Sequence, residues 1–330
     1  MAIIPNSDSA TTDNNIITPN NGIYVIGVDI GGTHISSAVV DIRQKKILDH
    51  TYATSHVANL EPYDVIMETW ANTLNKTINA SHNLDVQGIG FAIPGPFNYK
   101  KGIALYPEGF KYGALNEVKV EQDLTPLLMT SKCLPIRFMN DATSFAVGEA
   151  WLAEEEGFKR QLCITLGTGL GAGFIENGIP VVNGSTVPPN GCLWNVPYKD
   201  GMADDYFSTR GCINAYHERT GYTATGVKEL TMLFKSDPRA KQMFEAFGKD
   251  LGDFLSPWIK KFGADALVMG GNISKSYACF GHALQSSLNE NGISIPIRIS
   301  NHMEKGAIIG GARVFDNHFW KNVKHNLPEL

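Results

Sequence analysis

Two glycine-rich stretches of the chain carry residue types that suit phosphate binding. The first, from Ile26 to Asp41, reads as an apolar strand, a tight turn at Gly31 and Gly32, and a second strand. A turn without side chains in the way exposes backbone N–H groups that can donate to phosphate oxygens. Asp29 ends the first strand beside this turn, where its carboxylate would repel phosphate unless a cation such as Mg²⁺ lay between them. An ordinary glycine hairpin with an unrelated aspartate is the alternative that this stretch leaves open.

The second stretch, from Cys163 to Ile175, repeats this pattern. It again reads as an apolar strand, a turn of glycine and threonine, and an apolar strand, with Gly167, Thr168 and Gly169 in the turn. Two such hairpins in one chain favour two similar half-domains that face a single nucleotide.

Asn140 and Asp141 are the candidates for chemistry. They end a short predicted strand, and a helix follows directly. A carboxylate in such a rigid place could orient a hydroxyl group of a substrate and accept its proton during phosphoryl transfer. Asn140 offers a donor and an acceptor for a second hydroxyl. A plain helix N-cap is the alternative for both residues.

Together these motifs resemble the ROK family of sugar kinases and sugar-responsive repressors, within the actin-like ATPase superfamily. DIGGT is similar to the first phosphate motif of that family, TLGTGLGAGF to the second, VMGGNIS to the adenosine motif, and FMNDATSFAVGEA to the catalytic segment. The similarity extends from about Tyr24 to Phe315. It implies an α/β fold of two actin-like ATPase (ribonuclease-H-like) half-domains, with a cleft for nucleotide and sugar between them.

The resemblance also implies roles for single residues. Asp141 would be the catalytic base, and Asp29 would lie near the Mg²⁺ of bound ATP, through water. Thr33 and Thr168 would face the phosphates. The positions expected to hold the nucleotide are Asp29, Gly31, Gly32, Thr33, Gly167, Thr168, Gly169, Gly270 and Gly271. A glycine pair before a helix is also explained by close packing, so the adenosine role of the last two depends on the resemblance.

The segment expected to bind the sugar departs from the family pattern. Most members carry a Glu-x-x-His pair there, and alignment puts Cys192 in place of the glutamate and Asn195 in place of the histidine. Asp204 falls where the family has a second sugar-contacting glutamate, although capping of the next helix by Asp204 or Asp205 explains it equally well. Glu108 lies in a loop that lines the sugar site in relatives. We therefore expect Asn140, Asp204, Glu108 and Asn195 to bind the substrate.

The same segment lacks the cysteine cluster with which the family binds zinc. A structural zinc ion needs four nitrogen or sulfur ligands at close spacing, and only Cys192 is available locally. We expect no zinc site.

Composition narrows the classes of partner. The net charge of −5 argues against a nucleic-acid partner, and no apolar run is long enough to span a bilayer. The five scattered cysteines fit a reducing cytoplasm, and residues 1–21 read as a polar lead-in without the features of a signal peptide.

Strands and helices alternate in the second half of the chain, which predicts parallel pairing and an α/β class. We expect a smaller N-terminal domain of residues 22–141 plus about 303–330, and a larger domain of residues 142–302. The resemblance adds that the last helix packs back onto the first domain. Predicted elements include strands at Lys46–Tyr52 and Val86–Ile93, a long loop at 97–117, and helices at Pro62–Asn83, Tyr206–Thr220 and Lys305–Asn317.

The sequence therefore predicts an ATP-dependent, glucokinase-like sugar kinase that binds a small sugar and a nucleotide, and the resemblance favours a homo-oligomer such as a dimer. A transcriptional regulator of the same family would need a DNA-binding motif, for which the polar residues before Ile26 are too few. A non-catalytic sugar sensor is the third reading, favoured by the altered sugar segment and opposed by the intact phosphate motifs.

Overall fold

The computed structural model describes residues 22–57 and 59–327, so the predicted polar lead-in of residues 1–21 lies outside the described residues. Within that part, each helix is too short or too polar to cross a membrane.

The first sheet is built on the hairpin of the DIGGT motif. Strand β1 pairs antiparallel with β2, and β5 and β8 continue the sheet in parallel, in the order β3-β2-β1-β5-β8, with β4 paired to β2. The strands up to β8, which include a short separate β6–β7 pair, are Tyr24–Ile30 (β1), His34–Asp41 (β2), Lys46–Ile47 (β3), Ala53–His56 (β4), Val86–Ile93 (β5), Phe97–Asn98 (β6), Ile103–Ala104 (β7) and Ile136–Asn140 (β8).

The second sheet has a related plan. Its strand order is β11-β10-β9-β14-β15: β10 pairs antiparallel with both β9 and β11, and β14 and β15 continue the sheet in parallel, while β12 and β13 form a separate ribbon. The repeated hairpin that the sequence predicts is thus present in both sheets. The strands are Arg160–Leu166 (β9), Leu170–Glu176 (β10), Ile179–Pro180 (β11), Pro197–Tyr198 (β12), Gly201–Met202 (β13), Ala266–Gly270 (β14) and Ile297–Ile299 (β15).

Helices cover both sheets, and their ends follow capping rules. The longest helix begins after Asp237, whose side chain accepts a hydrogen bond from the Arg239 N–H, and ends at Gly263 with its φ of 70°. The helices are Tyr63–Ala80 (α1), Val120–Leu124 (α2), Asp141–Leu152 (α3), Ala203–Tyr206 (α4), Thr209–Thr220 (α5), Val227–Leu233 (α6), Pro238–Phe262 (α7), Tyr277–Glu290 (α8), Glu304–Arg313 (α9) and Asn317–Val323 (α10).

Three predicted elements were wrong in detail because side chains interrupt them. The predicted strand at Lys46–Tyr52 is only β3 followed by a 3₁₀ turn, in which the Thr51 hydroxyl accepts the Val39 N–H at 2.8 Å in place of a strand partner. The predicted helix at Tyr206–Thr220 is broken where Ser208 caps α5. The predicted helix at Lys305–Asn317 ends at Arg313, and Asp316 caps a further helix.

Helices α3 and α9 cross between the two sheets with their backbones in contact. A Cβ atom built on Gly148 would lie 2.0 Å from the carbonyl oxygen of Gly306, and one on Gly310 would lie 1.8 Å from that of Ser144. No side chain fits at these positions. Helix α3 also packs on β10 of the second sheet.

The other side of α9 lies on the first sheet. Cβ atoms on Gly27 of β1 and Gly90 of β5 would each lie 2.1 Å from a carbonyl oxygen of α9, those of Ile308 and Gly311. The family resemblance implied that the last predicted helix packs on the first half of the chain. The contacts of α9 with β1 and β5 agree with this. The exact division into domains stays a prediction.

Gly310→Ala and Gly148→Ala test this helix crossing. An alanine in a helix normally stabilises a protein, but here the added methyl group overlaps a carbonyl oxygen, so we expect each variant to lose about 1–3 kcal/mol in urea denaturation. Gly226→Ala is the matched control, because nothing lies within 4 Å of the added Cβ atom. Unchanged stability of both helix variants would contradict the close crossing.

Candidate active site

The first glycine turn, at Gly31 and Gly32, is held by one hydrogen bond within the hairpin and by two side chains from elsewhere in the chain. The Gly31 N–H closes the turn by donating to the carbonyl oxygen of His34 at 2.9 Å. The Tyr112 hydroxyl donates to the Gly31 carbonyl at 2.7 Å, and the Asn59 amide donates to the Gly32 carbonyl. A side chain on Gly31 would overlap the ring of His34, at 2.3 Å. The turn is thus fixed in shape before any ligand binds.

The second glycine turn is fixed in a comparable way. The Gly167 N–H donates to the Gly169 carbonyl at 3.0 Å, and the Thr209 N–H and hydroxyl donate to the Gly167 carbonyl at 2.8 and 2.9 Å. The N–H of Leu170 donates to Asp204 at 2.6 Å. The Thr168 side chain remains exposed at the tip.

The two turns meet across a cleft. A Cβ atom built on Gly32 would lie 3.6 Å from the Thr168 hydroxyl oxygen and 3.4 Å from the Lys111 ammonium nitrogen. Thr33 is exposed beside them. The structure therefore brings together the two predicted phosphate motifs and adds a lysine that sequence reasoning missed.

Asp141 is the first residue of α3, and its carboxylate is oriented by neighbours. Its Oδ1 accepts the Ala142 N–H and the Asn140 side-chain amide, each at 2.9 Å. Burial raises the pKa of Asp141 to about 6, with a further contribution from the negative charge of Asp29. A carboxylate with such a pKa is still mostly ionised at neutral pH but accepts a proton more readily than an exposed one.

Asn140 is the N-cap of α3. Its Oδ1 accepts the Thr143 N–H at 3.0 Å, and its amide also donates to the Tyr99 hydroxyl at 3.2 Å. The capping explanation therefore applies to Asn140, and its predicted contact with a sugar hydroxyl stays a prediction.

Asp29 lies in a cluster of charged groups. It is only 8% exposed, and burial raises its pKa. His34 Nε2 lies 3.8 Å from Asp29 and 3.2 Å from Glu304, at the start of α9. The two carboxylates raise the pKa of His34 to about 10. The Tyr52 hydroxyl also donates to Glu304.

Asp29, His34 and Glu304 form a candidate metal site. Within the described part of the chain, they are the His, Cys, Asp or Glu side chains that come close enough together to hold an ion, with one ligand atom from each lying within 4.8 Å of the others. Carboxylate oxygens are the ligands that Mg²⁺ prefers, so Asp29 and Glu304 fit that ion, whereas a protonated His34 does not. No cysteine belongs to the group, and Cys192 Sγ contacts the Asn190 carbonyl at 3.6 Å.

The predicted sugar-binding residues Asp204, Glu108 and Asn195 differ in their surroundings. Asp204 accepts from the second glycine turn and lies 3.5 Å from Arg210, while Asp205 caps α4 by accepting the Met202 N–H at 2.9 Å. Glu108 and Asn195 are exposed. A sugar contact of these residues stays a prediction.

Cys192 does lie near the candidate base. Burial and the charge of Asp141 raise the pKa of its thiol to about 11. Cys192, which the sequence alignment puts in place of a glutamate, is therefore close enough to Asp141 to feel its charge, and it is uncharged at neutral pH.

The predicted adenosine residues are explained by packing. A Cβ atom on Gly270 would lie 2.3 Å from the ring of Phe145, and one on Gly271, whose φ is 81°, would lie 2.3 Å from the carbonyl oxygen of Leu166. Their contact with adenosine stays a prediction.

Sequence reasoning missed three charged residues of the cleft. His34 directly follows the DIGGT motif, so its place beside the turn could have been found from the hairpin. Lys111 and Glu304 come from a loop and from the start of α9, and nothing in the local sequence connects them to the turns.

Comparison with known proteins agrees with this geometry. The sequence model of the ROK family matches residues 25–317. The N-acetyl-D-glucosamine kinase of Haemophilus influenzae is 26% identical over 315 residues, covering 88% of this chain and 98% of that protein. The glucokinase of Halalkalibacterium halodurans is 28% identical over 280 residues, covering 77% and 81%.

Among solved structures, a ROK family glucokinase from Streptomyces griseus in complex with glucose and AMPPNP matches with a TM-score of 0.70 and 21% identity, covering 88% of this chain and 98% of that one. This likeness shows the fold, which is the α/β actin-like ATPase fold that the motifs predict.

His34→Gln tests the charged cluster. Because the folded-state pKa of His34 is raised from 6.5 to about 10, its ion pairs stabilise the protein fully below pH 6.5, and this contribution is lost as the pH rises through 10. We expect a loss of about 1 kcal/mol at pH 6, since the pairs are partly exposed, and little loss at pH 10, by urea denaturation.

His56→Gln is the control, because the exposed His56 side chain has no ion pair with a described residue. The same loss at both pH values, or the same loss in the control, would contradict a charged His34.

Proposed function

The chain belongs to the ROK family, and we propose that it phosphorylates a sugar hydroxyl with ATP as the donor. The kinase names of the relatives support sugar phosphorylation, and both are covered over more than three quarters of their length. The observation that carries the proposal is the meeting of two glycine turns, together with the hydrogen-bonded carboxylate of Asp141 at the start of α3.

In the proposed reaction, the ionised Asp141 accepts the proton of a sugar hydroxyl. The sugar oxygen forms a bond to the terminal phosphorus, the bond from that phosphorus to the bridging oxygen breaks, and ADP leaves. The Asn140 amide and the Ala142 N–H hold Asp141 in place, so its free oxygen can face the hydroxyl. Closure of the two halves would exclude water, which would otherwise accept the phosphoryl group.

The glycine turns are proposed to hold the phosphates, with Thr33 and Thr168 facing them. The glucokinase neighbour that was solved with AMPPNP, an analogue of ATP, supports a nucleotide in such a cleft. Mg²⁺, when bound, would neutralise phosphate charge, and Asp29 with Glu304 are the carboxylates that could face it.

The substrate class is proposed from the relatives. One is named for N-acetyl-D-glucosamine and the other is a glucokinase, so a hexose or an N-acetylated hexosamine is the acceptor to test first. ADP release over a panel of hexoses, amino sugars and N-acetylated sugars identifies it. Domain boundaries after residues 141 and 302, a dimer and a cytoplasmic location complete the proposal.

Asp141→Asn tests the base. The amide keeps the shape of the side chain but cannot take a proton, so we expect turnover to fall about 10²–10⁴-fold. Calorimetry should show sugar and nucleotide binding within a few fold of the original protein. A variant that keeps most of its activity would show that another group is the base.

The dependence of kcat/KM on pH is a second test. Because the base must be ionised and its pKa is about 6, we expect kcat/KM to be nearly constant from pH 7 to 8 and to fall tenfold per pH unit well below pH 6. Initial rates with the responding sugar at low concentration measure this. An acidic limb centred near pH 4 would indicate an ordinary exposed carboxylate.

A non-catalytic sugar sensor is the second candidate, favoured by the thiol of Cys192 where the family has a carboxylate. Sugar binding in calorimetry without ADP release from any member of the panel would favour the sensor over the kinase.

A further inference from the structure

Lys111 places a positive charge at the junction of the two glycine turns. Its nitrogen lies 3.4 Å from the position of a Cβ atom on Gly32, and the Thr168 hydroxyl lies 3.6 Å from that same position. Its side chain is exposed and makes no hydrogen bond or ion pair with residues 22–57 or 59–327. An ammonium group without a carboxylate partner is available to an anionic ligand.

The backbone next to Lys111 is fixed relative to the first turn. Tyr112 is fully buried, its N–H donates to the Asn59 carbonyl at 2.7 Å, and its hydroxyl donates to the Gly31 carbonyl at 2.7 Å. The ring packs edge-on against Trp70, with centroids 5.6 Å apart. Because the neighbouring residue is tied to the turn, the backbone of Lys111 is held within reach of Gly32.

The charge of Lys111 also reaches the candidate base. It lowers the pKa of Asp141, opposing the effects of burial and of Asp29. One positive charge therefore acts on both the turn that would hold the phosphates and the carboxylate that would accept the proton. The transferred phosphoryl group has to pass between these two places.

We propose that Lys111 binds the terminal phosphate of the nucleotide and stabilises the negative charge of that phosphate during transfer. The inference rests on the proposed function and assigns a residue to that site. When the sugar oxygen bonds to phosphorus and the bond to ADP breaks, charge is spread over the three outer oxygens of the phosphoryl group. A lysine that faces these oxygens strengthens binding of the triphosphate, whereas a diphosphate lacks the group that it contacts.

Lys111→Ala and Lys111→Arg test the proposal, with Lys101→Ala as control. Lys101 is an exposed lysine of the same loop region. Its backbone N–H donates to Asn98, and its side chain makes no hydrogen bond or ion pair within the described part of the chain. With the responding sugar, we expect Lys111→Ala to lower kcat about 10²–10³-fold and to leave the sugar KM within twofold. The kcat of Lys111→Arg should be at least tenfold higher than that of Lys111→Ala, because arginine keeps the positive charge.

Calorimetry with AMPPNP and with ADP separates this role from a structural one. We expect Lys111→Ala to bind AMPPNP at least tenfold more weakly and ADP within twofold of the original protein. Equal weakening of both nucleotides would assign Lys111 to the fold of the loop and overturn the proposal. The proposal would also be overturned if Lys111→Ala had the same kcat and the same affinity for AMPPNP as Lys101→Ala.

The proposed function and this inference can fail separately. If no sugar supports ADP release by the original protein, the kinase proposal fails, and the ratio of AMPPNP to ADP affinity still decides whether Lys111 contacts the terminal phosphate. If turnover is normal and Lys111→Ala retains it, the kinase proposal stands and the role of Lys111 is rejected.

Discussion

The backbone contact between α3 and α9 is the constraint on which the site depends. The two helices come from distant parts of the chain, and glycine at positions such as Gly310 lets them touch without intervening side chains. Each helix begins with an acidic residue of the cleft, Asp141 in α3 and Glu304 in α9. Because their crossing is close, the distance of both carboxylates from Asp29 is set by backbone packing rather than by flexible side chains.

Electrostatics then gives the carboxylates of Asp29 and Asp141 different properties. Burial raises the pKa of both Asp29 and Asp141, which would leave them protonated too easily for a site that needs ionised groups. Nearby cations oppose this effect, His34 at Asp29 and Lys111 at Asp141. One carboxylate is therefore held by an ion pair, and the other has a pKa near the range in which it can take and release a proton.

How much the sequence could predict depended on where the relevant partners lie in the chain. The strand Val86–Ile93 was predicted with its observed bounds, because an apolar run ends at prolines that cannot continue a strand. The predicted strand at Lys46–Tyr52 failed because the Thr51 hydroxyl replaces a backbone partner, which no local pattern indicates. Likewise the position of Asp141 followed from its motif, whereas Glu304 and Lys111 enter the site from distant segments, and only the fold brings them there.

The thiol at Cys192 bears on whether the altered sugar segment still allows catalysis. A glutamate there, as in most of the family, would place a further negative charge near Asp141 and raise its pKa above the value of about 6 that burial and Asp29 produce. The thiol, with a pKa of about 11, is neutral at pH 7 and adds no such charge. On the proposed function, a thiol there offers a sugar one polar contact fewer than a carboxylate but leaves the proposed base, Asp141, ionised at neutral pH. The thiol thus favours a sensor only through the lost sugar contact, and it is compatible with the proton transfer proposed for Asp141.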